Sequence, residues 1–180
     1  LPKDKEVSKS CFAIISKYIK KNKLEIIFTR KVPTNTKILS STMKKSEPAI
    51  WQLFIKTNVI EKESNYLKRK LFVLGKQITN EINKYTKKNP AYRNFYICSL
   101  SNSTIVYKGM LLSDIVRKYF PDLSDKTFIS SFSLIHQRFS TNTFPSWDLA
   151  QPFRMVCHNG EINTVRGNVN WINARKAAMK

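Results

Sequence analysis

Apolar residues Val7, Cys11, Ile14, Ile15, Tyr18 and Ile19 recur at three- and four-residue steps, the spacing that gathers one face of a helix, and Asp4 stands where an N-cap belongs. The pattern predicts a helix over residues 5–21 with Cys11 on its buried face. Residues 24–32 carry Ile26, Ile27 and Phe28, end at Pro33, and read as a strand. Residues 34–47 are rich in Ser, Thr and Lys and predict a loop with a short helical turn before Pro48. Residues 49–55 are nearly continuously apolar, as a strand covered on both faces is, and Trp51 is expected to pack rather than bind.

A second helical stripe, Tyr66, Leu67, Leu71, Leu74, Ile78 and Ile82, predicts the longest helix over residues 63–85, ending near Asn89-Pro90. Residues 95–100 and 104–108 flank the polar turn Ser101-Asn102-Ser103 and predict a β-hairpin, followed by a short helix over 110–119. Two more short strands are expected at 131–135 and 153–157, then a final helix over 164–178. Helices mixed with mostly antiparallel strands predict an α+β layered domain. With 180 residues and 42% hydrophobic content the chain can bury one ordinary core, which predicts a single domain spanning 1–180.

Composition narrows the function classes. No stretch approaches the roughly 20 apolar residues needed to span a bilayer, so no membrane partner is expected. Cys11, Cys98 and Cys157 are odd in number and have no metal-ligand spacing, which argues for neither a disulfide framework nor a metal site and fits a reducing compartment. The four glycines, Gly75, Gly109, Gly160 and Gly167, are too far apart for a dinucleotide fingerprint or a phosphate loop. A net charge of +20, from 32 Lys and Arg against 12 Asp and Glu, raises the possibility of a basic nucleic-acid-binding module. The lysines are scattered, however, in pairs such as Lys20-Lys21, Lys44-Lys45 and Lys87-Lys88 among Asn and Ile, without a compact basic helix. That is the surface an AT-rich genome encodes, and it argues against a nucleic-acid partner.

Chemistry concentrates between His136 and Arg175. Arg138 follows the strand expected at 131–135, where a guanidinium can grip a carboxylate bidentately. The strand expected at 153–157 runs into Asn159-Gly160, where a side-chain amide beside an unshielded backbone N–H makes an oxyanion hole. The same residues equally describe a tight Asn-Gly turn and a surface ion pair.

The run HQRFSTNTFPSWDLAQPF from His136, with MVCHNGEINTVRGNVNW from Met155, resembles the class II, N-terminal-nucleophile glutamine amidotransferase domains, and in particular those of glutamate synthases. The likeness is strong over the last third of the chain and reaches back more weakly to Leu1. It implies a four-layer αββα sandwich and a glutaminase half-reaction, in which an N-terminal cysteine attacks the glutamine side-chain amide with its own α-amine as base. By this resemblance Arg138 binds the α-carboxylate of glutamine, Thr141 helps hold it, and Asn159 with the N–H of Gly160 forms the oxyanion hole. His136 and His158 are then structural. No cysteine matches the nucleophile, since Cys11 lies inside a helical stripe, so the chain is expected to be an internal fragment, inactive alone. A non-catalytic glutamine-binding remnant is the alternative.

For the parent the resemblance implies FMN, an iron–sulfur cluster, a 2-oxoglutarate site and an electron donor, either an NADPH or NADH subunit or ferredoxin. None of these cofactors is expected in residues 1–180. The compartment it suggests is the bacterial cytoplasm, with a plastid second.

Overall fold

Asp4 caps the first helix as its position predicts: its Oδ1 accepts the backbone N–H of Val7 at 2.9 Å, and α1 runs Lys5–Lys21. The computed structural model describes residues 1–57, 65–139, 144–153 and 165–179. Along α1, Val7, Cys11, Ile14 and Ile19 are buried, and they meet Leu71, Leu74, Ile78 and Ile82 of α3, Tyr66–Asn83. Helical spacing thus becomes a shared apolar seam. The polar ends of the seam are tied as well, because Tyr18 donates to Glu81 Oε2 at 3.1 Å and Asn22 Nδ2 to Gln77 Oε1 at 2.8 Å.

Lys23 ends α1 in the left-handed region, at φ 55°, and turns the chain into β1, Leu24–Lys31. This strand pairs antiparallel with β2, Trp51–Thr57, in a register that runs from Leu24 opposite Thr57 to Lys31 opposite Trp51. A bulge at Ile27 lets Ile26 face Ile55 and Phe28 face Phe54, at the cost of leaving Ile27 57% exposed. The expectation that both faces of the second strand are covered is corrected. Leu53 and Ile55 pack on the α1–α3 core, but Phe28 and Phe54 share the open face, their ring centroids 5.7 Å apart. Trp51 packs edge-on against Phe12 at 5.2 Å, as a packing residue should.

Between the strands, the Ser- and Thr-rich stretch folds into a 3₁₀ turn, Thr36–Ile38, and a short helix α2, Ser41–Ser46, capped by Ser40 Oγ. A second core gathers Val32, Leu39, Tyr119, Phe120 and Trp147 around α4, Ser113–Tyr119. The final helix, α5, runs Val165–Ala178 and buries none of its residues.

Two further expectations are corrected among the described residues. The hairpin at 95–108 keeps its turn but forms no ladder. Ser101 Oγ accepts from the N–H groups of Ser103 and Thr104, the Cys98 thiol donates to the Val106 carbonyl at 3.2 Å, and the Val106 N–H goes to Ser99 Oγ. Side chains have taken the places that strand partners would fill. Residues 131–135 do not form a strand either, and Phe132 and Ile135 stand 66% and 80% exposed. Their expected partner at 153–157 lies, apart from Phe153, outside the described residues. The architecture seen is a mixed helix and strand domain with a two-stranded antiparallel sheet.

Candidate functional site

Gln137 and Trp147, on either side of Arg138 in the sequence, both touch α4. Upstream, Gln137 Nε2 donates to Ser113 Oγ at 3.2 Å, on the first residue of the helix. Downstream, Trp147 lies against Tyr119, its last residue, with ring centroids 5.7 Å apart. A helix of seven residues is about 10 Å long, so it sets the span between the two anchors.

Trp147 itself is 4% exposed and is fixed three ways. Its Nε1 donates to Ser46 Oγ at 3.2 Å, its ring meets Tyr119, and its edge crosses Gly109 so closely that a Cβ there would stand 2.4 Å from Cζ3. Only glycine fits at 109. Next to it, Lys108 is buried at 6% exposure and donates from Nζ to the Asp148 carbonyl at 2.7 Å. The rings of Phe153 and Tyr96 stand 4.4 and 5.7 Å from the same ammonium. Burial pulls the Lys108 ammonium below its ordinary value and pushes the neighbouring Cys98 thiol up to about 11.

Arg138 is exposed, and His136, two positions before it, is half-buried. Thr141, His158, Asn159 and Gly160 lie outside the described residues. What the structure brings together is Gln137, Trp147, Asp148 and Phe153, each anchored to α4 or to the Lys108-Gly109 pair.

Two further polar clusters are built on Tyr119 and Asp122. Glu47, 5% exposed, accepts from Tyr119 at 2.7 Å, from Thr36 Oγ1 at 3.0 Å and from Lys3 Nζ at 3.0 Å. Burial opposes its charge, yet the three donors outweigh burial and hold the carboxyl below the usual range. Asp122 receives both terminal nitrogens of Arg30 and the hydroxyl of Tyr107, and the Arg30 bond holds its carboxyl low. Arg30 also donates from Nε to Gln52, the residue opposite it in the sheet.

Sequence reasoning missed Lys108. A lysine closing the apolar run Ile105-Val106-Tyr107 and followed by glycine was the available signal, hidden among 32 basic residues.

Two clefts adjoin this region. The larger, about 390 Å³, lies between β2 and residues 95–108 and is lined chiefly by apolar groups such as Phe12, Leu53, Ile55 and Leu74. The smaller, about 320 Å³, is bounded by Phe72, Ser99, Ser101, Thr104, Lys108 and Phe153. A zwitterionic amino acid needs paired charges, which an apolar lining does not offer. Among the described residues, no cluster of three or more His, Cys, Asp or Glu is placed to hold a metal ion, and no helix is long and apolar enough to cross a membrane.

The chain matches the family described as glutamine amidotransferases class-II over residues 1–180, and it belongs to that family. Its curated relatives are glutamate synthases. It is 39% identical over 182 residues to the chloroplastic ferredoxin-dependent glutamate synthase of rice, covering 100% of this chain and 11% of the rice protein. Against the large chain of the NADPH glutamate synthase of Azospirillum brasilense it is 42% identical, over 84% of this chain and 10% of that one. The NADH glutamate synthase of Schizosaccharomyces pombe is 42% identical over 97% of this chain and 8% of its own length. The chain therefore spans about a tenth of the length of these relatives.

Proposed function

We propose that this chain supplies the glutamine-binding part of a glutaminase, within a protein that makes glutamate from glutamine and 2-oxoglutarate. The observation that carries the reading is the class II amidotransferase match across the whole chain, and Arg138 and Asn159-Gly160 take their roles here from the resemblance of the runs that hold them. Arg138 takes the α-carboxylate of glutamine through a two-pronged guanidinium contact, and Thr141 adds a hydroxyl to that grip. Asn159 and the N–H of Gly160 receive the negative charge that forms on the side-chain carbonyl oxygen when a thiolate adds to its carbon. The carbon–nitrogen bond then breaks, ammonia leaves, and water hydrolyses the glutamyl thioester to glutamate.

The thiolate, in this proposal, comes from a cysteine outside residues 1–180. Cys11 is fully buried among apolar side chains and burial raises its thiol, the opposite of what a nucleophile needs. FMN, the iron–sulfur cluster and the 2-oxoglutarate site belong to other parts of the same protein, and we assign no residue of this chain to them. The chain itself forms part of one glutamine amidotransferase domain, a four-layer αββα sandwich completed by the segment that carries the nucleophilic cysteine and by a further part of the same domain.

Electrons enter from NADPH, NADH or ferredoxin at a later step. The similar identities to relatives named for all three donors suit this reading, because hydrolysing an amide consumes no electrons. The compartment proposed is the bacterial cytoplasm, with a plastid second.

The test is glutamine hydrolysis by the full-length gene product. Arg138→Ala is expected to raise the KM for glutamine at least tenfold. A KM unchanged by that substitution would remove Arg138 from the site, whereas a wild type that binds glutamine and hydrolyses none would leave the alternative of a non-catalytic glutamine-binding remnant.

A further inference from the structure

Leu1 and Ala49 hold each other by both backbone bonds of an antiparallel ladder. The Leu1 nitrogen donates to the Ala49 carbonyl at 2.8 Å, and the Ala49 N–H donates to the Leu1 carbonyl at 2.9 Å. Ala49 leads into β2, along which successive residues offer their backbone groups to the two edges in turn. The Val32 N–H donates to the Ile50 carbonyl, so Ile50, Gln52 and Phe54 turn their backbone groups toward β1. Those of Ala49, Trp51, Leu53 and Ile55 turn to the other edge, where among the described residues no strand pairs. Leu1 is the first rung on that open edge.

Continued backwards from Leu1, the ladder runs into the larger cleft, about 390 Å³, between β2 and residues 95–108. Leu1, Trp51, Leu53 and Ile55 line it, and its floor is the seam of α1 and α3, with Phe12, Ile15, Ile19, Leu74 and Ile78. The side chain of Leu1 packs on this core, as do those of Leu53 and Ile55. Burial pulls the Leu1 amino group down to about 6, so the place suits the uncharged amide nitrogen that a residue has inside a longer chain. An open strand edge above an apolar floor is a template for one more strand.

We propose that the residues leading into Leu1 in the full-length protein form a third strand, seated in this cleft antiparallel to β2. From the reading above it takes only that residues 1–180 belong to a longer protein, and it adds where the preceding segment of that protein docks. With Leu1 opposite Ala49 the register is set. The second, fourth and sixth positions before Leu1 stand opposite Trp51, Leu53 and Ile55 and lay their side chains on the floor formed by α1 and α3. The third and fifth stand opposite Gln52 and Phe54, with side chains on the other side of the sheet.

The experiment uses the full-length gene product. The third position before Leu1 and Gln52 make a non-hydrogen-bonded pair, whose Cα atoms stand about 4.5 Å apart, within the reach of a disulfide. A cysteine there, combined with Gln52→Cys, is expected to form that disulfide in most molecules on mild oxidation, as read by mass spectrometry of the joined peptides. A cysteine at the fourth position points to the opposite side of the sheet and should join Gln52→Cys in fewer than about a tenth of molecules. In the unaltered protein the N–H groups of Trp51 and Leu53 donate to the new strand, and they should exchange about a hundredfold more slowly than in an unfolded chain.

A disulfide formed equally from either position, or from neither, overturns the proposal, as does exchange at Trp51 and Leu53 as fast as in an unfolded chain. Slow exchange without the disulfide overturns it too, because a second copy or a distant segment would then fill the cleft. If Gln52→Cys loses its bond to Arg30 and does not fold, Phe54→Cys with a cysteine at the fifth position takes its place, since Phe54 is 41% exposed on the open face. A failed disulfide in a protein that hydrolyses glutamine sinks this proposal only. A wild type that hydrolyses none sinks the glutaminase reading, and the disulfide still decides the strand.

Discussion

The hydroxyl of Tyr119 donates to the carboxylate of Glu47 at 2.7 Å, across 72 positions of sequence and in a place where both side chains are buried. This bond joins the loop before β2 to the end of α4, the helix that Gln137 and Trp147 both touch. A hydrogen bond to a charged group contributes about 1.5–3 kcal/mol. Tyr119→Phe is expected to lower stability by that amount in chemical denaturation, since the ring still packs against Trp147 and Phe120.

Glu47 also gives the fold an acid limit. Its carboxyl is held below its ordinary value in the folded chain, so its stabilising contribution is complete above the ordinary carboxylate value. The contribution is lost as pH falls through the lower folded value. Glu47→Gln should therefore be less stable than wild type at pH 7, and the gap should narrow below about pH 4. Denaturation midpoints measured across pH 3–7 check this, and a gap independent of pH would show that the charge of Glu47 does not matter.

Gly109 is a steric requirement. Gly109→Ala places a methyl 2.4 Å from Cζ3 of Trp147, and the indole cannot retreat without losing its bond to Ser46. Overpacking of this kind costs about 1–3 kcal/mol. The indole should also become more accessible, which acrylamide quenching reads in a protein whose other tryptophans, Trp51 and Trp171, are replaced by Phe.

How far the fold was legible in the sequence depends on how local its causes are. Helix α1 was readable to its cap, because Asp4 and the stripe from Val7 to Ile19 act within a few residues of one another. Helix α3 and the strands β1 and β2 were readable for the same reason, whereas the pairing of those strands was not. The ladder expected at 95–108 was not, because Ser99 and Ser101 satisfy the backbone there, and no apolar pattern reports that substitution. For the site, motif residues such as Arg138 and Asn159 stand out by type. Lys108 does not, because a buried lysine is defined by Asp148 and Phe153, forty and forty-five positions away.

Lys23 offers a gain in stability. It is the one described non-glycine residue with positive φ, at 55°, and it follows the C-terminus of α1, where glycine is favoured. Lys23→Gly relieves the Cβ crowding of the left-handed region and adds some unfolded-state entropy in return. A net gain of about 0.5–1 kcal/mol is expected, and a thermal midpoint lower than wild type would show that the lysine side chain stabilises the turn in some other way.

The cysteines give a test that needs no assay of activity. Cys11 is fully buried, and burial raises the Cys98 thiol to about 11, so at pH 8 only about one Cys98 in a thousand is a thiolate. The thiolate is the species that iodoacetamide alkylates. Neither residue should be labelled while the protein is folded, and both should be labelled readily in denaturant, as read by mass spectrometry of the peptides that carry them. Rapid native labelling of Cys11 would place a reactive nucleophile inside residues 1–180. The proposal that the thiolate comes from elsewhere in the protein would then fail, although Arg138 would keep its role.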